Sequence, residues 1–460
     1  MRTQIKTLVP KLLVPAMFAG VLATTLAACP DREVARVDPR QNREQEKEIP
    51  VQINRDIDIL FVIDNSGSMR EEQESLAANF NRFINVLNNI EGGLPNVHIG
   101  VVSTDMGAGP FGIQGCTGNG DNGILQNAPV GGACNAPSDI FIKDIALEDG
   151  SRSTNYTGDL ASTFSCIAQL GTTGCGFEQP LESMRRALNG SNAQNNGFLR
   201  PNAFLAVIII ADEDDCSAED VNMFDSDPAK DRIDSEVGFL SSFRCFEFGV
   251  QCEPDTPRSA GPRQDCVPRD NSQYMYNVSE YANFLKGLKE DPGQIIVAGI
   301  IGNPTPVTVG LDNDEPVLDP SCVSGAGEAA PGVRLQAFLD SFPQRSTATT
   351  ICNNDLSDAL VVIADLLAKV IGNPCIEGNL VLTDGQPECT VADVRNLNQD
   401  GQEESIIAKC DASMSNLPCY HFVADAAQCP DTETQLTLVI ERGQADVPPN
   451  TTVVARCVAE

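Results

Sequence analysis

The 460-residue chain carries 31 basic and 64 acidic side chains, a net charge of −33 at pH 7, and is 42% hydrophobic and 21% charged. That apolar fraction fills a sizeable core and excludes wholesale disorder, while the carboxylate excess excludes DNA or RNA as a partner, because phosphate binding needs a basic surface. Two histidines, His98 and His421, leave little for imidazole catalysis or a multi-histidine zinc site, and seventeen cysteines exclude a reducing cytosol.

Arg2, Lys6 and Lys11 accompany a mostly apolar stretch from Leu12 to Leu26, the layout of an export signal. Pro15 interrupts the stretch, which is too short to span a bilayer as a helix. It closes on Leu26-Ala27-Ala28-Cys29, which resembles the lipobox of bacterial lipoproteins. The resemblance implies that residues 1–28 are a signal peptide and that Cys29 becomes the acylated N-terminus, a lipid anchor to a membrane. Seventeen cysteines less Cys29 leave sixteen, an even number, as full disulfide pairing requires. Position +2 is Pro30, not the aspartate that commonly retains such lipoproteins at the inner membrane, so the expected location is the outer membrane of a cell envelope. Residues 29–54, rich in Arg, Glu, Gln, Asn and Pro, read as the lipidated N-terminus and a flexible, solvated tether.

Ile57 to Asp64 is a near-continuous β-branched run, typical of a buried parallel strand. A helix is expected from Met69 to Asn89, with Leu76, Phe80, Phe83, Ile84 and Leu87 on one stripe and Ser68 with Glu71 as a capping box. Strands follow at Val97–Ser103, Ala203–Ala211 and Gln294–Ile301. Helices are expected at Gly176–Leu188, Tyr281–Lys289, Val333–Phe342 and Leu356–Ile371. This alternation predicts an α/β fold with a doubly wound, mostly parallel sheet over residues 55–372. Gly- and Pro-rich segments near 107–153 and 213–275 interrupt it as disulfide-stapled insertions. From residue 373 to 460 short β-like runs and six cysteines predict a small disulfide-rich β domain; the ten cysteines of the α/β part would pair among themselves. No Cys-x-x-Cys occurs, which weakens thioredoxin-like and zinc-ribbon readings.

At the end of the first buried strand stands Asp64-Asn65-Ser66-Gly67-Ser68. An acid with hydroxyls two and four residues on, where a strand turns into a helix, gathers oxygen groups around one point, and such ligands suit Mg²⁺ or Mn²⁺. The run resembles the von Willebrand factor A (vWA) family, also seen in integrin I domains, whose metal-ion-dependent adhesion site begins Asp-x-Ser-x-Ser. The resemblance, covering residues 55 to about 372, implies a Rossmann-like fold. It also implies a threonine in a loop before a helix, here Thr173 with Thr172 in reserve, and an aspartate ending the next buried strand, here Asp212. The family's usual glycine after that aspartate is Glu213, followed by Asp214-Asp215-Cys216, a departure that could change the metal or add a calcium site. By the same resemblance Ser66, Ser68 and Thr173 would meet the ion through hydroxyls and Asp64 and Asp212 often through water. One position would stay open for a protein partner's Glu or Asp.

Weaker patterns point elsewhere. Gly118-x-Gly120-x-x-Gly123 formally matches a dinucleotide fingerprint but lacks a strand before and a helix after, so it reads as a loop. Asn396-x-Asn398-x-Asp400-Gly401 resembles the start of a calcium loop, but Ile407 stands where Glu is needed, which favours a plain turn. The expectation is therefore a non-enzymatic, lipid-anchored envelope protein that binds a partner through Mg²⁺, or Mn²⁺ or Ca²⁺, at an adhesion-type site. The alternative is a scaffolding lipoprotein whose metal only stabilises the fold.

Overall fold

The computed structural model describes residues 45–47, 55–90, 93–128, 134–147, 150–289, 291–325, 327–353, 355–371, 375–376, 380–383, 385–395, 401–425, 429, 432–442 and 451–459, all within one unit, Gln45–Glu460. The signal segment, Cys29 and residues 396–400 lie outside the described residues.

Seven strands form the main sheet: β1 (Asp56–Ile63), β2 (Asn96–Ser103), β3 (Ile142–Ala146), β4 (Arg152–Thr154), β5 (Phe204–Ala211), β6 (Ile295–Ile301) and β7 (Ser346–Thr350). Their order is β7-β6-β5-β1-β2-β3-β4. The first five run parallel, and β3 and β4 add an antiparallel edge. The apolar runs are continuous because both faces are covered. Ile57, Ile59, Phe61 and Ile63 of β1 point into one core, Leu60 and Val62 into the other.

The helices are α1 (Arg70–Asn88), α2 (Leu160–Ala168), α3 (Pro180–Leu188), α4 (Phe243–Gly249), α5 (Val278–Lys286), α6 (Val333–Asp340) and α7 (Ser357–Ile371); all but α4, which packs on the strands of the insertion, cover the two faces of the main sheet. α1, α2 and α7 cover the Phe61 face, where Phe80 and Phe83 meet Phe61 edge-on and Phe80 stacks on Phe164 of α2. α3, α5 and α6 cover the Leu60 face. The doubly wound, parallel-rich sheet expected from the alternation is present.

Several local expectations needed correction. Ser68 and Glu71 form no capping box: the N-cap of α1 is Met69, with no side-chain cap bond. α3 starts at Pro180, as proline at N1 favours, so residues 176–179 stay outside the helix with Glu178 and Gln179 buried. The insertions hold more than loops. Val250–Glu253 and Gly261–Pro268 pair with Val307–Asp312 and Glu315–Leu318 in a separate four-stranded sheet.

The C-terminal region builds its own sheet from β8 (Cys389–Arg395), β9 (Glu403–Lys409), β10 (Cys419–Ala424), β11 (Leu436–Glu441) and β12 (Thr451–Ala459) around Ile376, Val391, Tyr420, Phe422 and Leu438. Gln45–Lys47, inside the stretch read as a tether, is an edge strand on β12; backbone pairing needs no apolar side chains, so composition did not reveal it. Eight disulfides staple the chain. Five pair the cysteines of the α/β part (116–175, 134–166, 216–245, 252–266, 322–352) and three those of the C-terminal region (375–429, 389–457, 410–419). Such density belongs to an extracytoplasmic, oxidising compartment. Among the described residues no helix is long and apolar enough to cross a membrane.

Candidate metal centre

β1 and β5 are neighbours, so the residues after them emerge side by side at the carboxyl edge of the sheet, where open α/β sheets bind ligands. The Asp64 N–H donates to the Ile210 carbonyl at 2.9 Å, which carries the ladder one residue past β1 and delivers Asp64 beside Asp212. Asp64 Oδ1 accepts the Ser66 N–H at 2.7 Å and the Thr104 hydroxyl at 3.4 Å. The Ser66 and Ser68 hydroxyls lie 3.1 Å apart, and Ser68 lies beside the Asp212 carboxylate. Asp64, Ser66, Ser68 and Asp212 are thus brought together from two strand ends.

The threonine loop docks on the same edge. Gln73 Nε2 donates to the Asp64 carbonyl at 2.8 Å and the Gly171 carbonyl at 2.9 Å, and the Gly174 N–H donates to the Asn65 carbonyl at 2.9 Å. A Cβ on Gly174 would sit 2.3 Å from Asn65 Oδ1, so this approach requires glycine. The Thr172 hydroxyl accepts from Arg70 at 3.4 Å; Thr173 is exposed, and its hydroxyl makes no hydrogen bond among the described residues.

Electrostatically the site is crowded with acids. Burial, then the charge of Asp212, pushes the Asp64 carboxyl well above its ordinary range. Burial also raises Asp212, against hydrogen bonds from Ser68 and Asp64. Glu178 is raised well above the usual carboxylate range by burial and by Glu213 and Asp64; burial pushes Glu213 up to about 7, and Glu72 up to about 7. When both members of a facing pair, Asp64–Asp212 or Glu178–Glu213, are ionised, each can only accept and neither satisfies the other. Accordingly Asp64 Oδ2, Asn65 Oδ1, Glu72 Oε2, Glu178 Oε1 and Asp212 Oδ1 are buried without a hydrogen-bond partner.

Among the described residues no group of three or more His, Cys, Asp or Glu side chains could by itself hold a metal ion. A cation here would draw on Asp64 and Asp212 together with serine and threonine hydroxyls, an all-oxygen set that suits a hard divalent ion. Asp214 and Asp215 are committed elsewhere, which removes them from any added calcium site. Asp214 caps α6 through the Arg334 and Leu335 N–H groups, and Asp215 pairs with Arg334 at 3.0 Å. Glu178, Glu72, Gln73 and Thr104 were not anticipated. Glu72 and Gln73 fall on the buried side of α1, a periodicity signal; nothing local marks Glu178.

The fold and site thus define a disulfide-stapled α/β protein with an acid-and-hydroxyl cluster at the carboxyl edge of its sheet. No family model matches the sequence, and no characterised protein matches it significantly. Among solved structures it is similar to the pilus adhesin SpaC of Lactobacillus rhamnosus GG in its open conformation (12% identity, 90% of this chain and 39% of that one, TM-score 0.30). It is also similar to a von Willebrand factor type A structure from Catenulispora acidiphila (11%, 88% and 58%, TM-score 0.27) and to the pilus adhesin RrgA of Streptococcus pneumoniae (10%, 91% and 57%, TM-score 0.29). The chain spans between 39% and 58% of the length of these structures. Likeness this distant carries no weight for function, which rests on the residues themselves.

Proposed function

We propose that this chain is a cell-envelope binding protein that holds a divalent cation, Mg²⁺ or else Mn²⁺ or Ca²⁺, at its strand-end cluster and engages a protein partner through a Glu or Asp carboxylate. The observation that carries this reading is the set of buried acceptors left without donors at Asp64, Asn65, Glu72, Glu178 and Asp212. A cation relieves the repulsion between Asp64 and Asp212 and answers their lone pairs. In this reading Ser66, Ser68 and Thr173 offer hydroxyls, and Asp64 and Asp212 act directly or through water. When bound, the ion supplies a Lewis-acidic position for the partner's carboxylate. The chain's own residues do the holding: Gln73 and Asn65 tie the two loops, and the Cys116–Cys175 bridge clamps the end of the threonine loop. Acyl chains on Cys29 would keep the whole at a membrane surface, the outer membrane in this reading, with adhesion or assembly at the envelope as its role.

Titration calorimetry with Mg²⁺, Mn²⁺ and Ca²⁺ on wild type and Asp64→Ala tests the ion. Cross-linking pull-down from intact envelopes, with and without chelator, tests the partner. The reading expects heats that vanish in Asp64→Ala and a partner captured only when the ion is present. Matching heats for the two proteins would put the ion elsewhere, and capture indifferent to chelator would leave the metal a purely structural part in a scaffolding lipoprotein.

A further inference from the structure

A cavity of about 240 Å³ opens directly beside Ser68 and Asp212. One wall is the Ser68, Asp212 and Glu213 edge of the candidate metal centre. Phe243 and Phe246 of α4 with Leu318, Pro320 and Pro331 supply an apolar wall, and Ser241, Ser242 and Glu328 also line the cavity. This wall is preformed, because Phe243 and Phe246 pack into a core with Val250, Val307, Val309 and Val333. It is also fixed relative to the acids. Cys216, just after Asp212, is bridged to Cys245 on α4, and the Ala330 N–H donates to the Asp212 carbonyl at 2.8 Å.

Size and chemistry narrow the occupant. An apolar cavity of roughly 150 Å³ accommodates benzene, whereas drug-sized ligands occupy about 300–1,000 Å³. The space therefore suits one ring or branched aliphatic group, not a cofactor.

We infer that the cavity receives the apolar side chain next to the partner's acidic residue, so that the recognised element is a short segment pairing Glu or Asp with an aromatic or large aliphatic neighbour. The inference rests on the cation reading and deepens it: the strand-end edge sets the charge, and the walls supplied by α4 and the segment 317–331 select the neighbour.

The test pans the full chain with capped pentapeptides carrying a fixed central Glu and random flanks, in Mg²⁺, against the same library with central Gln and against chelator. Two variants change only the cavity. Leu318→Asp places a charge on a half-buried wall residue, and Pro320→Trp fills the space. Calorimetry with Mg²⁺ alone checks that each variant keeps its ion site. We expect Phe, Leu, Ile or Met beside Glu to be enriched roughly tenfold or more on the wild type, the discrimination a fitted apolar pocket gives. That enrichment should require both Glu and Mg²⁺ and be lost in both variants while the Mg²⁺ heat stays unchanged. Glu-dependent binding without an apolar preference, a preference that survives both variants, or no enrichment from a chain that binds Mg²⁺ overturns this inference and leaves the cation reading standing. Apolar peptides held equally with Gln or in chelator overturn the link to a carboxylate. No Mg²⁺ heat in the wild type overturns the cation reading first, and this inference with it.

Discussion

Gln73 grips Gly171 with both ends of its side-chain amide: Nε2 donates to the Gly171 carbonyl at 2.9 Å, and Oε1 accepts the Gly171 N–H at 3.1 Å. Nε2 also reaches the Asp64 carbonyl, so one buried side chain on the first turn of α1 joins the loop after β1 to the threonine loop. Gln73→Leu keeps the volume and removes all three bonds. It should cost roughly 1–3 kcal/mol of stability for the backbone groups it orphans. It should also weaken Mg²⁺ binding about 10–100-fold, as loss of a group that orients ligands does. Urea unfolding and ion titration read the two effects separately; a variant that loses stability yet binds Mg²⁺ like wild type would detach the loop contact from the ion site.

Asp64→Asn should change sign with the buffer. In chelator the variant removes one of two facing buried carboxylates and gives Asp212 a donor. It should therefore melt higher than wild type, by the equivalent of about 1–3 kcal/mol for one relieved acceptor. In saturating Mg²⁺ the order reverses, because wild type gains RT ln(1 + [L]/Kd), about 2.7 kcal/mol at a hundredfold excess over Kd, and the variant does not. Scanning calorimetry in the two buffers decides: the same order in both would sever Asp64 from the ion.

A buried histidine near the amino end of β2 contributes to acid sensitivity. His98 Nδ1 donates to the Phe198 carbonyl at 2.8 Å, and Asp58 lies 3.6 Å away. Burial, aided by the charge of Arg200, lowers the His98 pKa from 6.5 to about 4. The unfolded chain protonates first, so the stability His98 confers is whole above pH 6.5 and is lost as the pH falls towards 4. Asp58 slopes the other way. Burial raises it from 3.8 to about 6 against the pull of Arg200, so its contribution is whole below 3.8 and is lost as the pH rises through 6. The two partly offset each other in the wild type. His98→Gln removes one slope. Between pH 7 and 4.5 it should lose roughly 2–3 kcal/mol less than wild type, at about 1.36 kcal/mol per pKa unit. Urea titrations at both pH values, in chelator, give the difference, and equal losses would contradict the assignment.

Arg334 and Asp215 are both fully buried and paired at 3.0 Å, with Arg334 also donating to the Tyr276 carbonyl at 2.9 Å. Arg334→Met keeps the stem and strands Asp215, and should cost about 3–5 kcal/mol. Adding Asp215→Leu should recover part of it, because a buried pair replaced by apolar groups is often neutral, while the Leu181 N–H and the Ser217 hydroxyl lose their acceptor. A double variant as unstable as the single one would show that the pair holds more than its own charges.

The layout of the sheet was legible because a strand covered on both faces must be apolar throughout, as Ile57 to Ile63 and Phe204 to Ala211 are, except at the paired Asp58. α1 was legible because its buried residues recur every three or four positions. The division of the cysteines into ten and six was countable; their partners were not, since the entropy of closing a loop changes slowly with its length. The threonine loop was implied by the family resemblance, whereas its docking depends on Gln73, nearly a hundred residues earlier.

The motif itself shows where local reading stops. Asp-x-Ser-x-Ser occurs three times; of the copy at 149–153, Asp149 lies outside the described residues, and the last copy, Asp411-Ala412-Ser413-Met414-Ser415, lies in an exposed turn between the bridged Cys410 and Cys419. There the Ser415 and Ser413 N–H and hydroxyl groups satisfy Asp411 and hold its carboxyl at about 2. At Asp64 the same residues behave oppositely. The sheet withdraws water, Ser68 turns to Asp212 instead of capping α1, and Glu178 and Glu213 arrive from far along the chain. A side chain's charge and reach are local properties, written in the sequence. Its desolvation and its neighbours belong to the fold, so the sequence determined which oxygens stand near the strand ends and the tertiary structure decided which of them are buried without a donor.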